Sequence, residues 1–290
     1  MSSSTKGGSE LIIDFHTHIF PDSVRNDKAR YMSREEWFAT LYESPRAKMI
    51  SGEELVVAMD EAGVDKAVLC GFCWSNHETC VEHNDYTMEM VKKFPDRLIG
   101  FASIQPKAGQ KAAEEVERCF TQGLRGIGEW NPNGQKFDLA DHDMLAPIVE
   151  VASHYQMPII IHTTEPLGHE YKGKHGADLA DIYQFVKRFP DASVVCAHWG
   201  GGLPFYELMP EVAQVSQNLY YDTAASPFLY SPAIFRIVPQ LVGYRRILFG
   251  SDFPLVNHTK FLQQIKGLHI ARETEEAILG KNAQTLLRLE

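Results

Sequence analysis

The chain has 290 residues, of which 44% are hydrophobic and 23% charged, a composition typical of a globular protein and not of a disordered or collagen-like one. Its 28 Lys and Arg residues against 38 Asp and Glu residues give a net charge of -10. This charge would repel a nucleic-acid backbone and an anionic membrane surface alike. The composition therefore argues against nucleic-acid and membrane partners.

The first ten residues, MSSSTKGGSE, are small and polar, and we expect them to form a disordered leader ahead of one domain over residues 11–290. No window approaches the roughly 18 uninterrupted apolar residues of a membrane span. The cysteines are odd in number and lie in apolar or helical runs, unlike a secreted disulfide framework, which favours a cytoplasmic location. They are Cys70, Cys73, Cys80, Cys119 and Cys196.

Eight short apolar runs predict eight strands, and most are continuously apolar, as in strands buried on both faces of a parallel sheet. The runs are LIIDF (11–15), KAVLCGF (66–72), RLIGFASI (97–104), LRGIGEW (124–130), MPIIIH (157–162), ASVVCAH (192–198), LYYDT (219–223) and RILFGS (246–251). Segments of helical length separate them. The order predicts an α/β fold, a closed (β/α)₈ TIM barrel in a single domain, with a doubly wound open sheet as the alternative.

Three local signals support the predicted helices between these strands. Ser51 and Glu54 have the spacing of a capping box, and Asp141 can cap the helix that follows it. Gly123 follows a helical run just before the fourth strand, where a helix end needs a residue that tolerates positive φ.

The connection after the first strand is far longer than the others. It runs from Thr17 to about Ile50, roughly 33 residues, against a usual length of about 2–6. It contains several aromatic residues, so we expect it to fold over the carboxyl end of the barrel as a lid or pocket wall.

Six histidine and acidic side chains lie where a predicted strand meets the loop that follows it. They are His16, His18, Glu129, His162, His198 and Asp252. In a parallel barrel these strand ends converge on one rim, and imidazole nitrogens with carboxylate oxygens are the ligands that a divalent ion such as Zn²⁺ selects. If the six merely capped strand ends, the cost of burying them would be on the order of several kcal/mol per unpaired charge. We therefore predict a metal site.

Six segments also resemble a known family. They are IIDFHTHIFP (12–21), PIIIHT (158–163), VVCAHWGGGLPF (194–205), YYDTAASP (220–227), RILFGSDFPL (246–255) and ILGKNAQTLLRL (278–289). Together they resemble the amidohydrolase superfamily, in particular its amidohydrolase-2 branch, which includes aminocarboxymuconate-semialdehyde decarboxylase and related aromatic acid decarboxylases. The resemblance implies a (β/α)₈ barrel and an assembly of dimers or larger oligomers.

The resemblance also implies one metal ion, usually zinc, held by His16, His18, His162 and Asp252, with His198 as a catalytic or supporting histidine. Glu129 departs from the pattern, because mononuclear decarboxylases of this branch often lack an acid there. In deoxyribonuclease-like relatives a glutamate at the end of this strand bridges two ions. The number of ions, one or two, thus stays open, and a salt bridge from Glu129 to a cation such as Arg125 is a further alternative.

A metal site of this kind activates water near neutral pH, with Asp252 taking a proton and His198 polarising the substrate or carrying a proton. The sequence thus predicts a hydrolase of an amide, lactone or ester in a small molecule. The first alternative is a non-oxidative decarboxylase of an aromatic or muconate-like acid, in which Asp252 and His198 supply the proton. Glu129 favours hydrolysis, because a further carboxylate would repel an anionic substrate. The second alternative is a barrel that binds metal without catalysis.

Three tryptophans at strand ends, Trp74, Trp130 and Trp199, are predicted to wall an apolar or aromatic ligand. His258 is a further pocket candidate, because it lies on the loop after Asp252. The other histidines, His169 among them, are expected at the surface or in structural roles.

Overall fold

The computed structural model describes residues 11–289, so the leader predicted for residues 1–10 lies outside the described range. Within that range the strands are shorter than the apolar runs that predict them. They are β1 (Ile13–Thr17), β2 (Lys66–Leu69), β3 (Leu98–Gly100), β4 (Ile127–Trp130), β5 (Ile159–Ile161), β6 (Val194–Cys196), β7 (Leu219–Asp222) and β8 (Ile247–Leu248).

The strands form two parallel ladders, β1-β2-β3 and β4 to β8 in chain order, which are joined at both ends. Between β3 and β4, the Ala102 N–H donates to the Gly126 carbonyl at 2.8 Å. Between β8 and β1, the Phe15 N–H donates to the Phe249 carbonyl at 2.7 Å. The sheet is therefore closed, which confirms the (β/α)₈ barrel over the open sheet.

The seam between β8 and β1 continues past the ends of both strands. The His18 N–H donates to the Phe253 carbonyl, and the Asp252 N–H donates to the His16 carbonyl, each at 2.9 Å. The first and last strands are thus joined at the carboxyl end of the barrel by main-chain bonds.

The α-helices of the described range surround the barrel or lie in its loops. They are α1 (Asp22–Asn26), α2 (Lys28–Met32), α3 (Glu36–Tyr42), α4 (Gly52–Ala62), α5 (His77–Lys93), α6 (Gln110–Thr121), α7 (Pro132–Gln135), α8 (His142–His154), α9 (Leu179–Arg188), α10 (Leu203–Tyr206), α11 (Pro210–Val215), α12 (Ser226–Leu229), α13 (Ile234–Val242), α14 (His258–Lys266), α15 (Arg272–Glu276) and α16 (Asn282–Leu286). Within residues 11–289, no helix combines the length and the apolar character needed to cross a membrane. All five cysteines are buried and free.

The predicted helix ends are confirmed. Ser51 and Glu54 form a reciprocal capping box at the start of α4. The Asp141 carboxylate accepts a hydrogen bond from the Met144 N–H at the start of α8. Gly123 follows α6 with a φ of 101°, a conformation that glycine adopts without steric cost.

Apolar side chains fill the barrel interior as well as the layer between strands and helices. Phe15 and Phe101 meet edge to face inside the barrel, with ring centroids 5.7 Å apart. Both belong to an interior cluster that also contains Ala283 of α16 and Leu287, the residue after that helix. The strands are thus buried on both faces, as their continuously apolar sequences predict.

Helices α1 to α3 lie within the long first connection, which packs through its own aromatic cluster. Phe38 stacks on Tyr42 with ring centroids 4.8 Å apart, and Phe20 lies 5.6 Å from Phe72 at the end of β2. Trp74 joins the same cluster. This buried aromatic cluster packs the connection against the carboxyl end of the barrel.

Candidate metal centre

One group of donor atoms comes from the first strand and from the loop after the last strand. His16 is part of β1, His18 follows it, and Asp252 lies on the loop after β8. The His16 and His18 Nε2 atoms are 3.1 Å apart, and Asp252 Oδ1 lies 3.4 Å from His18 Nε2 and 3.9 Å from His16 Nε2. These three atoms are arranged as ligands of one metal ion would be.

His16 is held in place by Asp222, an acid at the end of β7 that the sequence analysis missed. His16 Nδ1 donates to Asp222 Oδ2 at 2.8 Å, and both side chains are fully buried. A neutral His16 therefore carries its proton on Nδ1 and presents the Nε2 lone pair to His18 and Asp252. A carboxylate behind a histidine in this way is characteristic of metal sites in proteins.

The second group of donor atoms surrounds Glu129 on β4. His162 Nδ1 lies 2.8 Å from Glu129 Oε1, and His198 Nε2 lies 3.5 Å from the same oxygen. The two imidazole nitrogens are 3.2 Å apart. The outward nitrogen of each ring is bonded to a backbone carbonyl, His162 Nε2 to Gly173 at 2.8 Å and His198 Nδ1 to Ala224 at 3.2 Å.

Glu129 joins the two groups. Its other oxygen, Oε2, lies 3.8 Å from His16 Nε2 and 3.9 Å from His18 Nε2. The structure therefore brings all six predicted side chains into one cluster, although His162 lies beside Glu129 and His198 and not within the group of His16, His18 and Asp252.

A left-handed turn sets the position of His198 after β6. Residues 198–202 all have positive φ, and this places the His198 N–H 2.9 Å from Asp222 Oδ1. Such a run is unfavourable for residues with a Cβ atom. At Gly200, a Cβ would also lie 2.7 Å from the ring of Tyr221, which accounts for the glycines of the HWGGG segment.

Burial and charge act in opposite directions on these groups. Burial alone lowers the pKa of His16, but Asp222 and Glu129 outweigh it and raise that pKa to about 10. Burial likewise lowers the pKa of His198, and the Glu129 carboxylate raises it to about 9. Burial raises the pKa of Glu129, yet the imidazoles around it bring the pKa well below its usual range. Protons on the imidazoles thus balance the carboxylates, and a bound divalent cation would take their place.

The donor set fits a divalent cation on chemical grounds. Imidazole nitrogens and carboxylate oxygens suit zinc and several other divalent metals, and the Nε2 atoms of His16 and His18 lie 3.1 Å apart. The buried Nδ1 atom of His18 has no hydrogen-bond partner among the described residues. Because a ligand at Nε2 fixes the neutral imidazole with its proton on Nδ1, this atom marks where an outer partner would bond.

A cavity of about 600 Å³ opens above the cluster. The long first connection contributes Trp37, Leu41, Tyr42, Arg46, Ala47 and Lys48, so the predicted pocket wall is confirmed. The loop after β5 contributes His169, Tyr171, Lys172 and Gly173. His169, expected to be a surface or structural residue, is exposed and lines this cavity.

The structure does not bring the three predicted tryptophans to the cavity. Trp74 is buried with its Nε1–H bonded to His83 Nδ1 at 2.8 Å, and Trp199 donates to Ser226 Oγ at 2.6 Å. Trp130 packs against Phe137 and Phe185 in the core. In an extended chain successive side chains point to opposite faces, so Trp130 faces away from the side to which Glu129 points.

Two further residues are placed differently from expectation. His258 is buried behind the site, where its Nε2 lies 2.7 Å from Asp14 Oδ2, and it does not line the cavity. The tryptophan that does is Trp37, whose ring centroid is 6.2 Å from that of His162. No strand precedes Trp37 directly, so the strand-end signal could not identify it.

The protein is a (β/α)₈ barrel. Imidazoles and carboxylates gather at the carboxyl ends of its strands and form a candidate divalent-metal centre. The profile of the Amidohydrolase family matches residues 13–289. The chain belongs to this family, as the resemblance implies.

The relatives of the chain are decarboxylases. It is 24% identical to the 2-amino-3-carboxymuconate-6-semialdehyde decarboxylase of Dictyostelium discoideum, over 97% of this chain and 92% of the relative. It is 22% identical to the gamma-resorcylate decarboxylase of Polaromonas sp., over 96% of this chain and 98% of the relative. Among solved structures, the 5-carboxyvanillate decarboxylase of Novosphingobium aromaticivorans, complexed with manganese and 4-hydroxy-3-methoxy-5-nitrobenzoic acid, matches with a TM-score of 0.79 at 18% identity, covering 98% of each chain.

The predicted hydrolase activity is wrong, because the relatives that match nearly the whole length of this chain are decarboxylases. The argument from Glu129 fails for a physical reason. Its carboxylate is paired with His162 at 2.8 Å, so it does not present the free negative charge that would repel an anionic substrate. The predicted divalent metal is supported by the donor set and by the manganese in the similar structure, whereas zinc as its identity stays a prediction.

Proposed function

We propose that this protein is a metal-dependent, non-oxidative decarboxylase of an aromatic acid. One observation carries the proposal: a cavity with aromatic walls has imidazole and carboxylate donors at its base and cationic side chains in its lining. The decarboxylases to which the chain is similar support the same reaction class. A small-molecule acid is thus the expected substrate.

The cavity walls match an aromatic anion. Trp37, Tyr42, Phe72 and Phe228 supply apolar and aromatic surface against which a planar ring can pack. The cationic side chains of Arg46, Lys48 and Lys172 also line the cavity. Lys172 is paired with Glu43, so Arg46 and Lys48 supply the positive charge that would favour entry of a carboxylate into a protein whose net charge is -10.

We assign the metal ion of this reaction to His16, His18 and Asp252, with Asp222 orienting His16. Zinc is our proposed identity, because two of these three ligands are imidazoles; manganese is the alternative, since it is bound in the similar decarboxylase structure. When bound, the divalent ion supplies positive charge that orients the oxygen atoms of the substrate.

Asp252 is the group that we propose to protonate the substrate. Burial raises the pKa of Asp252, but the imidazoles of His18 and His16 outweigh it and lower that pKa, so the carboxylate takes a proton from water in the cavity as it passes one to the substrate. The proton goes to the ring carbon that bears the carboxylate group. The bond between that carbon and the carboxylate carbon then breaks, its electron pair restores the aromatic ring, and carbon dioxide leaves. His198, the other residue predicted to be catalytic, faces Glu129 and His162, so we do not assign it this proton.

The test is release of carbon dioxide from a panel of acids by protein loaded with Zn²⁺ or Mn²⁺. The panel contains gamma-resorcylate, 5-carboxyvanillate and 6-methylsalicylate, with cyclohexanecarboxylate as the non-aromatic control. We expect carbon dioxide and the corresponding decarboxylated ring from at least one aromatic acid and none from the control. Absence of turnover with every member of the panel under both metals would contradict the proposal.

A further inference from the structure

Tyr42 is the last residue of α3 and lies in the wall of the cavity above the donor cluster. Its ring stacks on Phe38 with ring centroids 4.8 Å apart. It meets Phe20 and Phe72 edge to face, with ring centroids 5.1 and 6.0 Å away. Because closely packed side chains have little room to reorient, these three phenylalanines fix the position of the Tyr42 ring in the wall.

The hydroxyl of Tyr42 makes no hydrogen bond within the described part of the chain. The other tyrosine in the cavity lining, Tyr171, donates to Glu165 Oε2 at 2.9 Å. In the core, Tyr221 donates to Glu207 Oε1 at 2.6 Å. A tyrosine hydroxyl that is removed from bulk water normally has such a partner. The hydrogen-bonding capacity of the Tyr42 hydroxyl is therefore available to a molecule in the cavity.

The electrostatic surroundings of Tyr42 make its hydroxyl a donor. Burial raises the pKa of the Tyr42 phenol, and the charges of Asp252 and Glu129 raise that pKa further. The phenol thus keeps its proton near neutral pH. A neutral phenol donates to oxygen atoms, and it donates most strongly to a negatively charged one.

This donor differs from the cations of the cavity lining, Arg46 and Lys48. Attraction between charges depends on distance and only weakly on direction, so the two cations favour anions in general. A hydroxyl on a fixed ring offers one proton at one place. It therefore distinguishes ligands by where they carry an oxygen atom.

We propose that Tyr42 is a specificity-determining residue whose hydroxyl donates a hydrogen bond to an oxygen atom of the bound aromatic acid. The inference rests on the proposed function, because it takes an aromatic acid as the occupant of the cavity. The accepting oxygen belongs either to a hydroxyl group on the aromatic ring or to the carboxylate group, and both present the same chemistry to the phenol. An aromatic molecule without that oxygen leaves the Tyr42 hydroxyl unpaired and therefore binds more weakly.

The variant Tyr42→Phe tests the proposal, since it removes the hydroxyl and keeps the ring. Calorimetry gives the dissociation constants of benzoate, 2-, 3- and 4-hydroxybenzoate and phenol for the full-length, Zn²⁺-loaded protein and for the variant. If a ring hydroxyl is the acceptor, Tyr42→Phe should weaken binding of at least one hydroxybenzoate by about 3–10-fold and leave benzoate unchanged. If the carboxylate is the acceptor, it should weaken binding of every acid by about 10–100-fold and leave phenol unchanged.

The variant Tyr171→Phe is the matched control. It removes a hydroxyl from the lining of the same cavity, but that hydroxyl is already bonded to Glu165. It should therefore change the affinities for the five probes by a common factor, whereas Tyr42→Phe changes them selectively. Circular dichroism spectra and melting curves establish that both variants are folded.

Affinities that stay unchanged within error for every probe in Tyr42→Phe would overturn the proposal, because only the ring would then matter. Equal losses for all five probes, phenol included, would overturn it as well. Failure of every probe to bind the unaltered protein would contradict both this proposal and the proposed function. The measurements need no turnover, so a selective loss without release of carbon dioxide would contradict only the proposed function. Release of carbon dioxide with unchanged affinities in Tyr42→Phe would contradict only the role of Tyr42.

Discussion

The donor cluster and the cavity wall above it are built in different ways. Donor side chains at the strand ends are positioned by the barrel and by partners such as Asp222, which is fully buried. The wall includes the first connection and the loop after β5, which meet through the exposed ion pair between Glu43 and Lys172. Exposed pairs of this kind contribute little to stability. The barrel thus fixes the chemistry, whereas the wall can vary in sequence and select the substrate.

The largest expected effect is at the donor cluster. Asp252→Asn removes the proposed proton carrier and an anionic ligand, so kcat for decarboxylation should fall by about two to four orders of magnitude. Steady-state assays at saturating substrate measure this, with Glu170→Gln as an exposed carboxylate control on the loop after β5. Activity of Asp252→Asn within a few-fold of the unaltered enzyme would exclude this role.

A smaller effect, on metal affinity, is expected at Asp222, which contacts a ligand and not the metal ion. Asp222→Asn weakens the bond that orients His16, and loss of such a partner lowers metal affinity by about 10–100-fold. Competition with a chromophoric chelator measures the change. Glu115→Gln is the comparison, because Glu115 is also a buried acceptor of hydrogen bonds but its partners Asn84 and Arg118 lie outside the centre. Equal losses in both variants would mean that Asp222 acts only through general stability.

The wall should affect substrate binding more than turnover. Trp37→Ala removes a half-buried ring from the cavity, so KM should rise about tenfold, the equivalent of roughly 1.4 kcal/mol of lost binding, with kcat changed less. Leu167→Ala is the control, since Leu167 is 81% exposed on the loop after β5 and does not line the cavity. A fall in kcat with unchanged KM would place Trp37 in the chemistry and remove the distinction between the two regions.

The smallest effect is expected at the ion pair across the wall. Glu43→Gln should leave the melting temperature unchanged within error, because both partners are exposed and screened by water. Thermal melts at low and high salt check this. A drop in melting temperature confined to low salt would show that this pair contributes more to the free energy of unfolding than exposed pairs normally do.

Much of the fold and of the donor cluster follows from the sequence, because strands buried on both faces have a distinct pattern and their ends must meet on one rim. A similar signal was present at Asp222, the fourth residue of the LYYDT run and the last residue of β7, but an acid behind a ligand is distinguished only by its bond to His16. The three tryptophans were wrongly included in the predicted pocket. A position at a strand end does not decide to which side of the strand a side chain points. Trp130 follows Glu129 directly and therefore points to the opposite side, into the core.

The reaction could not be read from the residue types alone. The choice of hydrolysis depended on treating Glu129 as a free negative charge, and the sequence does not reveal that His162 and His198 surround it. Side-chain pairs between distant strands are set by the register of the barrel. The strand-end pattern identifies which residues reach the rim of the barrel but not which of them pair there.

The seam between β8 and β1 would give a bound metal ion a role in stability. His16 and His18 come from the amino-terminal strand and Asp252 from the carboxyl-terminal one, and main-chain bonds join the same segments. A cation held by all three side chains would link the first and last strands of the barrel. Because only the closed form offers the complete ligand set, binding free energy adds to the free energy of unfolding. Occupancy of the centre and integrity of the barrel are therefore thermodynamically linked.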